Sequence, residues 1–313
     1  MNLRPLVAAL RQQSGLLAKR DIQPAAEAFS HRPFPQLGAA GMLGDDAALL
    51  PRQNGQLLLA CEGMHPALVA EDPWFAGWSG VLVNLSDIAA MGGRPLAVVN
   101  SVWTQGPDSL KRLLEGMSSA CDRFAVPMVG GHSNQQSPYE ALSVAVLGVA
   151  EGPVLSARLA SPGDELWLLV NRSGSFYRHY PFWDAATEAS PGLLRSHLSL
   201  LPALAADGIV HAAKDISMGG LCGNLLLGAI RSRRGAILQT QGAGVLEAQD
   251  AESASSPQAL HPAQAAGGTR LCMTGEGRKR ASTAPSIARA ASGRVVVDRG
   301  SRLLLDVRLW VGM

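Results

Sequence analysis

Carboxylates and glycines recur together at four places along this 313-residue chain: GDDAALL (44–50), NLSDIAAMGG (84–93), VGGHS (129–133) and KDISMGG (214–220). Each lies where the chain changes direction. Aspartates gathered from such segments can converge on Mg²⁺, which prefers oxygen ligands and shares them with substrate phosphates. Glycines beside them let backbone approach closely. No GxxxxGK[ST] string is present, so the usual glycine-rich phosphate cradle is absent and any phosphate would be held through metal and carboxylates.

Taken singly, each segment has a plainer reading. Asp45-Asp46 suits a solvated turn. Asp87 falls inside an apolar helix, where an unpaired carboxylate is costly, so an ion pair and a metal role both account for it. His132 after Gly130-Gly131 suits an ordinary loop or core histidine. Asp215 and Ser217 have the form of an N-cap for the helix expected after them. Glu62 reads as a strand-end surface residue.

The elements that must position these residues follow from periodicity. Residues 3–19 read as an amphipathic helix and 31–44 as an irregular loop. The runs 46–51 and 56–61 flank an Asn54-Gly55 hairpin turn. Trp78, Val81, Leu82, Leu85 and Ile88 predict a buried helix over 74–91, stopped at Gly92-Gly93. A strand is expected over 94–104, then a helix capped by Asp108 with Leu110, Leu113, Leu114, Met117, Cys121 and Phe124 on one face. A short strand running into a glycine turn follows at 126–131, and another strand at 141–151. The turn Pro162-Gly163-Asp164 opens a further strand, one helix covers 191–206, and another runs from Ile216-Ser217 through Ile230. This mixture gives an α+β or α/β class.

At 47% hydrophobic and 17% charged, the chain is excluded from the disordered polyelectrolytes. No apolar run is long enough to span a bilayer, and the N-terminal apolar stretch is too short for a signal peptide. Cys61, Cys121, Cys222 and Cys272 lack CxxC spacing, which argues against a zinc site or disulfide framework and fits a reducing cytoplasm. The net charge of +2 conceals an asymmetry: residues 1–230 hold 15 Lys+Arg against 19 Asp+Glu, whereas 231–313 hold 12 against 6. From 241 to 300, 27 residues are Ala, Gly or Ser and none is aromatic. That region reads as a low-complexity basic tail, or as one written in a shifted frame from about 231–240. A solvated tail explains its arginines without nucleic acid.

In combination the segments resemble the AIR-synthase-like (PurM-like) ATP-binding superfamily. GDDAALL and NLSDIAAMGGRPLA look most like thiamine-monophosphate kinase, with its GDDAAV and LSDIAAMG strings. Arg158 through Asp164 is similar to that family's interdomain joint. AAKDISMGGLCGNLLL (212–227) and PFWDAAT (181–187) resemble an AIR-synthase-related branch near methanogenesis marker protein 2. The resemblance implies an α+β fold: a PurM-like N-terminal domain over 1–154, whose mixed sheet forms a barrel with a second subunit, then the start of a PurM-like α/β domain over 155–238. The second domain is expected to be incomplete or aberrant after about residue 238, leaving 239–313 as the tail.

The resemblance also implies ATP and Mg²⁺ as cofactors, a small-molecule substrate, a homodimer and a cytoplasmic location, with neither nucleic acid nor membrane as partner. Asp45, Asp87 and Asp215 map to metal-phosphate ligands, and Glu62 aligns with a further acidic position. Gly44, Asp46, Gly130, Gly131, Arg158 and Ser217 fall to nucleotide binding. His132 and Asp215 are the expected catalytic residues, with His132 standing where the kinase has Asp. Met218 replaces a carboxylate, and Ala60-Cys61-Glu62 replaces a TTD string. These departures unsettle thiamine phosphate as substrate more than they unsettle ATP. The expected activity is ATP-dependent phosphoryl transfer to a small metabolite. The alternatives are an amide-activating synthase of the same superfamily and a non-catalytic ATP-binding dimer.

Overall fold

The computed structural model describes residues 12, 46–51, 55–160, 165–166, 171, 173–217, 236–240, 269–273, 297–298 and 302–303. Apart from residue 12, the expected helices over 3–19 and after Ser217, and the loop over 31–44, lie outside them.

The first described elements are β1 (Ala48–Pro51) and β2 (Gln56–Gly63), an antiparallel hairpin registered Pro51 to Gln56. Gly55 has φ +83°, a conformation the Asn54-Gly55 signal anticipates. The short helix α1 (Pro66–Glu71) leads into α2 (Pro73–Ala90). Asp72 caps α2, its Oδ1 accepting from the Phe75 N–H, with proline at the first helical position. Asp72 is buried, and Oδ2 also accepts from the Tyr177 hydroxyl at 2.6 Å and from Arg178 at 2.5 Å. The cap thereby ties the start of α2 to the segment around residue 177. Gly92, φ +75°, ends α2 as expected.

Strand β3 (Arg94–Trp103) is followed by α3 (Pro107–Phe124), β4 (Met128–Asn134) and β5 (Ala141–Ala150). Contrary to the expectation, Asp108 does not cap α3. Gly106 holds that position without a side-chain bond, and Asp108 lies in the first turn, where its charge still suits the helix N-terminus. After a 3₁₀ turn at Ala157–Leu159 come β6 (Glu165–Leu166), the hairpin β7 (Ser175–Phe176) and β8 (Trp183–Asp184), then α4 (Pro191–Leu198) and α5 (Leu200–Ala206). The single helix expected over 191–206 is thus two. Pro202 lacks an N–H to donate to the Leu198 carbonyl and its ring would clash there, so the helix restarts at Ser199.

The main sheet runs β1-β2-β5-β3-β4, antiparallel except for the β3–β4 pair. Paired residues share a face. One row across β2-β5-β3-β4 is Glu62, Val144, Asn100 and Gly131; the next is Gly63, Ser143, Ser101 and His132. The first row faces α2: Val144 is fully buried, and a Cβ at Gly80 would touch it. The second row faces away from the helices, together with the exposed Leu59, Leu147 and Val99. Phe75, Trp78, Leu82, Leu85 and Ile88 of α2 fill the core, with Leu113, Met117 and Phe124 of α3 behind them. The α3 residues recur at helical spacing, so an amphipathic stripe completes the layer.

Beyond residue 230, β9 (Ala236–Thr240) and β10 (Thr269–Met273) pair with each other, and β10 pairs with β6. Strands β11 (Val297–Asp298) and β12 (Arg302–Leu303) form a separate pair. Most of the expected tail lies outside the described residues. Among those described, no helix is long and apolar enough to cross a membrane.

A candidate metal and phosphate site

Three aspartates from distant parts of the chain meet. Asp46 stands two residues before β1. Asp87 lies in the last turn of α2, and Asp215 is in the irregular segment 211–217. One carboxylate oxygen from each lies within 4.8 Å of the others. The Asp215 N–H also reaches Asp46 Oδ2 at 3.4 Å. Asp46 exposes 3% of its side chain and Asp215 17%, so water screens the cluster poorly.

Burial pushes the Asp87 carboxyl well above the usual carboxylate range. Asp215, Asp46 and Glu62 add like-charge repulsion, and Lys214 partly offsets it. Lys214 lies among these acids. Its ammonium bonds to Asp46 and, at 2.7 Å, to Asp215 Oδ1. Burial works against the lysine charge, yet the Asp215 and Asp46 carboxylates outweigh it and hold the ammonium protonated. Lys214 is the member of this cluster that residue type and spacing did not single out. Its signal was slight: one of only four lysines, and the only one between residues 112 and 278.

Glu62, at the end of β2, is on the α2 face of the sheet and half-buried; it acts on Asp87 electrostatically but lies outside the three-aspartate group. Gly130 and Gly131 are in β4, not in a turn after it, and a Cβ on Gly131 would strike the Asn100 side chain. His132 lies in the same strand, exposed, on the face turned away from α2; its ring is 6.3 Å from that of Trp103. The sheet therefore separates His132 from Asp87 within one chain. Arg158 is in the 157–159 turn, its N–H donating to Ser156 Oγ, and Ser217 is half-buried two residues past Asp215. Gly44 and Asp45 lie outside the described residues.

The donor set fits a hard divalent cation. All its ligand atoms are carboxylate oxygens, with no thiolate or imidazole among them. With every acid ionised and Lys214 charged, the three aspartates and the ammonium sum to two negative charges, which one divalent ion balances.

Fold and site together define a class: an α+β protein with helices on one face of a mixed sheet and carboxylates converging from its first and second parts. The chain belongs to the AIR synthase related protein family. Its N-terminal domain model matches residues 44–150 and its C-terminal domain model residues 161–278, so Asp46 and Asp87 come from the first and Asp215 from the second. The second match extends across β9 and β10, into the region expected to be tail. An uncharacterized protein of Synechocystis sp. is 48% identical over 237 residues, covering 75% of this chain and 73% of that protein. Thiamine-monophosphate kinase of Methanospirillum hungatei is 27% identical over 187 residues, 56% of this chain and 61% of that one. Among solved structures, AaThiL complexed with AMPPCP and TMP shares the fold, with a TM-score of 0.53 at 16% identity, covering 80% of this chain and 84% of that one.

Proposed function

We propose that this protein is an ATP- and Mg²⁺-dependent phosphotransferase acting on a small metabolite, working in the cytoplasm as a homodimer. The observation that carries the reading is the convergence of Asp46, Asp87 and Asp215 in one poorly hydrated cluster. Family relatives that include a thiamine-monophosphate kinase, and a fold neighbour complexed with AMPPCP, support it.

Asp46, Asp87 and Asp215 would hold the metal, with Asp45 beside them. A divalent ion there supplies charge neutralisation and alignment for the phosphates. This chain's own residues do the rest. The Asp46 and Asp215 carboxylates keep Lys214 protonated within the cluster, where its ammonium would stabilise negative charge developing on a bound phosphate. Backbone N–H groups near Gly130, Gly131 and Ser217 would line the nucleotide, with Arg158 available to its anionic groups. Isothermal titration calorimetry tests the reading: Mg-ATP binds the wild type with one site per chain, and failure to bind sinks it.

His132 faces away from the cluster of its own chain, on the side a second subunit would cover. Leu59 and Leu147 pair across β2–β5 and are 44% and 37% exposed; Val99, 41% exposed, pairs with Ala145 two residues along β5 on the same face. An apolar sheet face of this kind suits burial against a second copy. Leu147→Asp would place a charge in that interface. Sedimentation equilibrium is expected to show a dimer for the wild type and a monomer for the variant; a wild-type monomer would remove the dimer from the proposal.

A further inference from the structure

Lys214 has no role in a site described only by its carboxylates. Its ammonium bridges the adjacent Asp215 and Asp46, which lies 168 positions away in the chain, and it exposes only 20% of its side chain. It therefore occupies space and charge that a cation would otherwise fill. The segment that carries it, KDISMGG, holds a single carboxylate, so the acids available there are few. Two of the three aspartates already spend a lone pair on the ammonium, and a bare divalent ion entering the cluster meets a fixed positive charge within a few ångströms. Repulsion between such charges is strong where water is scarce.

We propose that Lys214 is a resident cation of this site, taking one of the cation positions that the three aspartates create. The nucleotide-free protein then holds no more than one divalent ion at the cluster and holds it weakly. A polyphosphate supplies new anionic partners for the ammonium and frees carboxylate oxygens for the metal, so metal and nucleotide bind with positive coupling. The inference rests on the nucleotide-site reading above, because the phosphate is what relieves the competition.

Mn²⁺ is a suitable probe, since its free concentration is read directly by electron paramagnetic resonance. The full chain is titrated with Mn²⁺ without nucleotide, as wild type, Lys214→Met and Lys214→Arg. Removing the charge is expected to tighten Mn²⁺ binding at least tenfold in Lys214→Met, while Lys214→Arg stays near the wild type. At saturating Mn²⁺, AMPPCP affinity is expected to fall at least tenfold in Lys214→Met. Mn²⁺ binding that is unchanged or weaker in Lys214→Met means the lysine only scaffolds the aspartates, and overturns the proposal. Should that variant not fold, the wild type still decides: two or more Mn²⁺ per chain that are lost in Asp87→Asn overturn it, and one or fewer supports it. AMPPCP binding with unaltered Mn²⁺ affinities sinks this inference alone. No AMPPCP binding by the wild type sinks the nucleotide reading, and the nucleotide-free titrations still judge the lysine.

Discussion

Asp87→Asn is expected to weaken Mg-ATP binding at least about a hundredfold, beyond the 10–100-fold typical of residues that merely support a metal ligand. The same substitution is expected to make the metal-free protein more stable at neutral pH. Both effects have one cause. Asp87 sits at 6% exposure in the last turn of α2, and its carboxyl is pushed up by burial and then by Asp215, Asp46 and Glu62. An acid with a raised folded-state pKa binds its proton more tightly folded than unfolded. Its cost is therefore absent in acid, grows as pH rises through the ordinary carboxylate range, and is complete above the raised value. Asparagine is nearly the same shape and carries no charge. The stability difference between variant and wild type should accordingly open as pH rises, in thermal melts without metal. Calorimetry reads the other arm: asparagine keeps one neutral carbonyl oxygen, a much poorer partner for Mg²⁺ than a carboxylate. Unchanged Mg-ATP affinity in a well-folded variant would remove Asp87 from the site.

Such a trade-off explains why some of this protein was legible in its sequence and some was not. Periodicity located α3 because its buried face repeats at helical spacing, and α2, buried on nearly every side, because its large apolar side chains recur at that spacing; Gly92 marked a real stop at φ +75°. Local signals failed where two of them competed. Asp108 is a good capping residue, but Pro107 takes the first helical position and moves the cap back to Gly106. The leucines of 191–206 repeat well enough for one helix, yet Pro202 breaks it at Ser199. For the site, residue type picked out Asp45-Asp46, Asp87 and Asp215 as candidates, and the resemblance gave the metal to Asp45, Asp87 and Asp215 with Asp46 beside them; the cluster among the described residues holds Asp46, Asp45 lies outside those residues, and no spacing rule joins positions so far apart. Lys214 was harder still. A lysine next to an aspartate ordinarily reads as solvated surface; its meaning depends on Asp46, which arrives from the other end of the described chain.

Gly116→Ala is expected to destabilise the protein by about 1–2 kcal/mol, although alanine is the better helix former. Two magnitudes compete. In a helix interior, exchanging glycine for alanine gains roughly 1 kcal/mol. Against this, α2 and α3 touch backbone to backbone at that point: a Cβ on Gly116 would lie 1.9 Å from the Trp74 carbonyl oxygen, and one on Gly77 would lie 2.2 Å from that of Leu113. A carbonyl fixed in the facing helix cannot turn aside as a side-chain tip could. The helices must part, which loosens Trp78, Leu113 and Met117 together, and overpacking of this kind costs about 1–3 kcal/mol or more. The clash wins because it is spread along the whole contact. Gly77→Ala should behave likewise, and the double variant should lose less than the sum, since helices already parted accommodate the second methyl more easily. Gly192→Ala is the control, with nothing within 4 Å of its added carbon, and is expected to be neutral or slightly stabilising. Urea denaturation of the four variants checks all of this, and a neutral Gly116→Ala would refute the close helix contact. The effect should also reach the site. Asp87 rides on α2, so a shift of that helix changes its distance to Asp46 and Asp215, and Gly116→Ala should weaken Mg-ATP binding from a position that touches neither metal nor nucleotide.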